Sequence, residues 1–134
     1  MTDASLNLSG LWHGRYAYPD AVQPPVAFTA TLTEIDGWLS GSIEEKGSIA
    51  DTVGRTLIAA LQGRRNGYSV TWLKLYDGAS AYYDTVRYDG DVSGDGHEIS
   101  GNWIIPGVWS GTFLMIRPRA DAMKAIAKAQ QRAW

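Results

Sequence analysis

A chain of 134 residues has room for one hydrophobic core, and 45% apolar with 19% charged residues describes a globular domain, not a disordered one. A formal charge of −2 excludes a general electrostatic grip on nucleic acid, and the lack of cysteine excludes disulfides, thiol nucleophiles and thiolate-bound zinc. The opening MTDASLNLSG has neither the basic nor the apolar region of a secretory signal, and no stretch approaches the roughly 18 apolar residues of a membrane span, so the expected compartment is the cytoplasm.

Six Trp and seven Tyr against two Phe, with Gly after an acid or amide at Asp36-Gly37, Asn66-Gly67, Asp77-Gly78, Asp89-Gly90 and Asp95-Gly96, point to β-hairpins. The first strand is expected over Leu6–Tyr18, with Leu8, Gly10, Trp12, Gly14, Tyr16 and Tyr18 on one face and Ser9, His13 and Arg15 on the other. Pro19 and Pro24-Pro25 break the pattern. Alternation resumes over Val26–Ile35, where Val26, Phe28, Ala30 and Leu32 share a face, and after Asp36-Gly37 over Trp38–Glu45.

Residues 46–55 are irregular, a loop or one helical turn. Strands follow at Thr56–Arg64, Tyr68–Tyr76, Tyr82–Val92, His97–Ile105 and Trp109–Arg117, joined by short turns. Eight antiparallel strands are enough to close an up-and-down barrel whose interior takes side chains or one small ligand, and closure removes the exposed edges. Beyond Pro118 the period changes to 3.6, predicting a C-terminal helix over 119–133. Met123, Ile126, Ala127 and Trp134 form its apolar stripe, interrupted by Gln130, and Lys124, Lys128 and Arg132 a solvated basic row. The whole is a single domain over 1–134: an all-β barrel over 6–117 and a short helix.

Leu8-Ser9-Gly10-Leu11-Trp12 resembles the opening strand of avidins, and its Gly-x-Trp that of lipocalins. Gly37-Trp38-Leu39-Ser40-Gly41-Ser42 is similar to the following avidin strand. Tyr68–Lys74 and Ile99–Ile105 resemble the avidin strands that carry binding-site tryptophans, here Trp72 and Trp103. A closing Arg117 before a helix resembles lipocalins. The resemblance covers most of residues 8–117 and implies a barrel with an aromatic-lined interior. It does not imply biotin. The ureido contacts of avidins correspond to Gly14 and Ile43, and Leu114-Met115-Ile116-Arg117 offers no Asp or Asn. The Trp12-x-Gly14-x-Tyr16 pattern also resembles nitrobindin-type haem barrels, but the proximal His near the last strand is missing.

If Trp12 points inward, as the resemblance implies, Tyr16, Trp72, Trp103, Trp109, Phe113 and Met115 are expected to share the interior. Gly14, Gly41, Gly101 and Gly111, in phase with them, are expected to leave space beside the large rings. Lys74 is in phase with Trp72, and Asp84 and Arg87 lie on a later strand; inside the barrel any of these would orient a ligand or act as acid or base, although charged strand residues more often face solvent. Asp91-x-Ser93-x-Asp95-Gly96 resembles the start of a calcium loop, but Asn102 stands where the bidentate Glu belongs, so a hairpin turn and no metal is expected. His13 and His97 have no nucleophile beside them, and no phosphate loop or Gly-x-Ser-x-Gly elbow is present.

The first expectation is therefore a non-catalytic barrel that binds a small apolar or aromatic molecule through Trp12, Tyr16, Trp72, Trp103, Trp109, Phe113, Met115 and Lys74, with no cofactor. Two alternatives stand beside it. One is a packed barrel that forms a homo-oligomer through outward Leu73, Leu75, Leu114 and Ile116. The other is a small barrel enzyme, a cyclase or isomerase, that holds its substrate in a reactive shape.

Overall fold

The computed structural model describes residues 6–46, 54–76 and 85–118. The expected helix over 119–133, Asp84, and the 46–55 and Asp77-Gly78 connections lie wholly or mostly outside them. Eight strands form a closed antiparallel barrel in sequence order: β1 (Gly10–Ala17), β2 (Val26–Ile35), β3 (Trp38–Lys46), β4 (Thr56–Asn66), β5 (Ser69–Tyr76), β6 (Val86–Val92), β7 (Glu98–Ile105) and β8 (Trp109–Ile116). Closure is made by β1 on β8, with His13 opposite Ile116 and Ala17 opposite Thr112. A 3-10 turn at Pro19–Ala21 follows β1.

Period-two patterning sets which side of each strand faces in. On β2, Val26, Phe28, Ala30, Leu32 and also Glu34 are buried; on β5, Val70, Trp72 and Lys74 are. The first hairpin turns on Asp36 (φ 52°) and Gly37 (φ 82°), both in the left-handed region that a type I′ turn requires. Two Gly pairs do other work than expected. At β4–β5 the turn is centred on Gly67-Tyr68, with positive φ at Gly67 alone, while Asn66 ends β4 and pairs with Ser69. Asp89-Gly90 lies within β6, where a Cβ at position 90 would press on Phe113 at 2.8 Å.

The space expected beside the inward glycines is already filled. A Cβ at Gly14 would enter the Phe28 ring, at Gly41 the Thr31 carbonyl, at Gly101 the Asp89 carbonyl, and at Gly111 the Ala17 carbonyl and Trp103 indole. These glycines let rings and neighbouring strands come close, so the mid-barrel is dense.

The two ends differ. At one, the segment before β1 crosses the opening and buries Leu8 completely. Trp12 Nε1 donates to Leu8 O at 2.9 Å, and the Arg117 guanidinium lies 4.7 Å over the Trp12 ring while donating to Asn7 O, Ser9 O and Gly96 O. Arg65 pairs with Glu34 at 2.8 Å, and Glu34 also accepts from the Leu8 N–H at 3.0 Å. This is a plugged end. The other end carries the β1–β2, β3–β4, β5–β6 and β7–β8 connections.

Candidate functional site

The inward alternation of β3, Leu39 then Ile43, continues to Glu45, and that of β5 continues to Lys74 and Tyr76. Both runs end at the connection-bearing end. The intervening β4 places Leu57 opposite Glu45 and Leu61 opposite Lys74, with the small Ala59 between them. Over that gap Lys74 Nζ meets Glu45 Oε1 at 2.7 Å, each side chain only 1% exposed.

Three tyrosines close around this pair. Tyr16 Oη donates to Glu45 Oε2 at 2.5 Å and Tyr76 Oη to Oε1 at 3.0 Å, so both carboxylate oxygens are occupied. Lys74 Nζ donates to Tyr88 Oη at 3.4 Å and lies 4.6, 4.7 and 5.7 Å from the ring centres of Tyr16, Tyr76 and Tyr88. Burial pushes the Lys74 amine below its ordinary pKa, and the Glu45 carboxylate only partly opposes this. Burial, reinforced by neighbouring charge, pushes the Tyr16, Tyr76 and Tyr88 phenols well above theirs, so they stay protonated donors. The cluster is an amine, a carboxylate and three phenols in a water-poor setting, able to hold a polar group or to pass a proton.

Aromatic side chains flank it. Tyr88 stacks on Trp72 at 5.7 Å, and Phe113 packs edge-on against both. Toward the rim Tyr18 contacts Trp103 at 5.7 Å and Trp109 at 4.9 Å, and Trp103 Nε1 donates to Ala17 O. Trp72 Nε1 is buried and has no hydrogen-bond partner among the described residues, an unusual state for a buried donor.

Of the eight residues singled out in sequence, Tyr16, Lys74, Trp72, Trp103, Trp109 and Phe113 gather around this region, Trp109 at the half-buried rim. Trp12 and Met115 are fully buried toward the plugged half. Arg87 is outward, paired with Asp89 at 3.0 Å. His13 is exposed, and His97 Nδ1 lies 2.8 Å from Arg117 O. In the calcium-like segment Asp95 is engaged within the turn by Ser93 and the His97 N–H. Sequence reasoning placed Tyr18 on the face of Trp12 without giving it a role, and passed over Glu45, Tyr76 and Tyr88. Each continues an inward alternation, a signal visible in the sequence once the faces are assigned. No protein-family model matches this chain, and no curated protein matches its sequence.

Proposed function

We propose that this barrel binds a small, flat, largely apolar or aromatic molecule at its connection-bearing end. The ligand's ring system lies against Tyr18, Trp103 and Trp109, and its polar group meets Lys74 and Glu45. The observation that carries the proposal is the fully buried Lys74–Glu45 pair inside a ring of tyrosines. A buried ion pair contributes little net stability compared with apolar residues of the same size, so its place in so small a core favours a functional role. Trp72 Nε1, which has no partner among the described residues, supplies a second donor for a ligand acceptor.

The test is a thermal-shift screen of aromatic acids, phenols, aldehydes and amides against the native protein and Glu45→Gln. A ligand at about 100 times its Kd adds about 2.7 kcal/mol, a rise of several degrees in a domain of this size. Stabilisation of the native protein that is lost in Glu45→Gln is the expected result. A panel that shifts neither protein, or both equally, removes the proposal. Self-association is a second reading, favoured by Leu73, Leu75, Leu114 and Ile116, which face outward and are 37–47% exposed. Light scattering that gives a monomer mass at high concentration disposes of it.

A further inference from the structure

We infer that Lys74 forms a reversible imine with an aldehyde, so that the ligand class of this site is an aromatic or conjugated aldehyde captured covalently. This deepens the binding function proposed above and rests on it. The geometry supplies the parts that imine formation needs within one cluster. The amine sits 2.7 Å from a carboxylate that can take its proton. That carboxylate is held from both oxygens by Tyr16 and Tyr76, which fixes its orientation toward the amine. Tyr88 Oη accepts from Nζ at 3.4 Å and keeps its own hydroxyl proton to offer a carbonyl oxygen, and Trp72, stacked on Tyr88, has no partner for its Nε1 among the described residues. The rings of Tyr16, Tyr76 and Tyr88, 4.6 to 5.7 Å from the amine, suit an extended π system joined to the carbonyl carbon.

The steps balance without an added oxidant or reductant. The Lys74 ammonium passes a proton to the Glu45 carboxylate, and the nitrogen lone pair adds to the aldehyde carbon as the carbonyl π pair moves to oxygen. A proton shifts from nitrogen to that oxygen, giving the carbinolamine. The protonated Glu45 then gives its proton to the hydroxyl, the C–O bond breaks, and water leaves. What remains is a protonated imine on Lys74 beside the Glu45 carboxylate, which serves as its counter-ion. One aldehyde is consumed and one water released, and the net charge of the pair is unchanged. Burial lowers the pKa of the amine, so giving its proton to the adjacent Glu45 carboxylate is easier than for an exposed lysine.

The experiment uses the full chain, a naphthaldehyde, and cyanoborohydride to trap any imine, followed by peptide mapping of the four lysines, Lys46, Lys74, Lys124 and Lys128. The expected result is a naphthylmethyl group on Lys74, gained at least about tenfold faster than on exposed Lys46, as an amine with a lowered pKa permits. Glu45→Gln keeps the amine and removes the proton carrier, so Lys74 labelling should slow while Lys46 labelling is unchanged. Naphthylmethanol, which has no carbonyl, reports on binding alone through quenching of Trp fluorescence. If the alcohol quenches but Lys74 is labelled no faster than Lys46, the covalent inference is overturned and the binding function stands. If Lys74 is not labelled and the alcohol does not quench, both are overturned.

Discussion

Trp12 and Lys74 are both completely buried on inward strand faces, yet they serve opposite ends in opposite ways. Trp12 satisfies its one donor on Leu8 O and offers its ring to Arg117, so its contribution is to packing. Trp12→Ala should cost about 3–5 kcal/mol in urea titration, and a loss below about 1 kcal/mol would show the plugged end to be dispensable. Lys74 is different because its partner is also buried. Lys74→Met leaves the Glu45 carboxylate without its cation and should cost about 3–5 kcal/mol. Adding Glu45→Gln removes that stranded charge while keeping an acceptor for the tyrosines, so the double variant should regain more than half of the loss. If the two substitutions simply add, the residues are not coupled as their 2.7 Å contact demands.

At the scale of the elements, glycines decide how closely the strands approach. Gly111 on β8 faces the Ala17 carbonyl of β1 and the Trp103 indole of β7, so a Cβ there would force apart the strand that closes the barrel. Gly111→Ala should destabilise by about 1–3 kcal/mol and weaken the near-ultraviolet signal of the aromatic rim, whereas Gly107→Ala, where a Cβ meets open space but φ is 77°, should cost only about 1–2 kcal/mol of backbone strain and leave that signal intact. Equal near-ultraviolet losses in the two variants would contradict the packing assigned to Gly111. The strands themselves were legible in sequence because alternation and turn residues are local signals. Val26–Ile35 matches β2 at both ends, and Trp38–Glu45 falls one residue short of β3. The role of the glycines was not legible, since a gap in one strand is read as space until the register shows whose carbonyl fills it. The same holds for Glu45. Its phase with Leu39 and Ile43 was visible, but its pairing with Lys74, 29 positions away and on the far side of β4, follows only from the registers of β3 on β4 and β4 on β5.

For the molecule as a whole, the interior divides into a plugged end, a dense middle and a polar, tyrosine-ringed end, and each division has a consequence that can be measured. In the dense middle, Phe28 fills the space beside Gly14 and Ile43 is buried, so neither position offers a hydrogen-bonding side chain. Biotin would therefore leave polar atoms unpaired at about 1–3 kcal/mol each, and calorimetry should detect no sub-micromolar binding. The plugged end makes stability depend on pH. Burial by itself would raise the Glu34 pKa, but the Arg65 hydrogen bonds, the Leu8 N–H and the Arg65 and Arg117 charges outweigh it, and the net shift is downward. A carboxylate with a lowered folded pKa binds fewer protons in the folded than in the unfolded chain, so its stabilisation is complete above the unfolded value of about 4.3 and is lost as pH falls through the folded value. Glu34 also joins elements far apart in sequence: Leu8 donates to its side chain, Asn7 to its carbonyl, and Arg65 reaches from it to Leu6 O. Protonating it should therefore loosen the whole plug. Thermal midpoints should hold steady from pH 7 to about pH 5 and drop below about pH 4, and Glu34→Gln should begin lower and decline less across the acid range. An acid limb of the same steepness in Glu34→Gln would place the pH dependence elsewhere and leave the plug without its electrostatic latch.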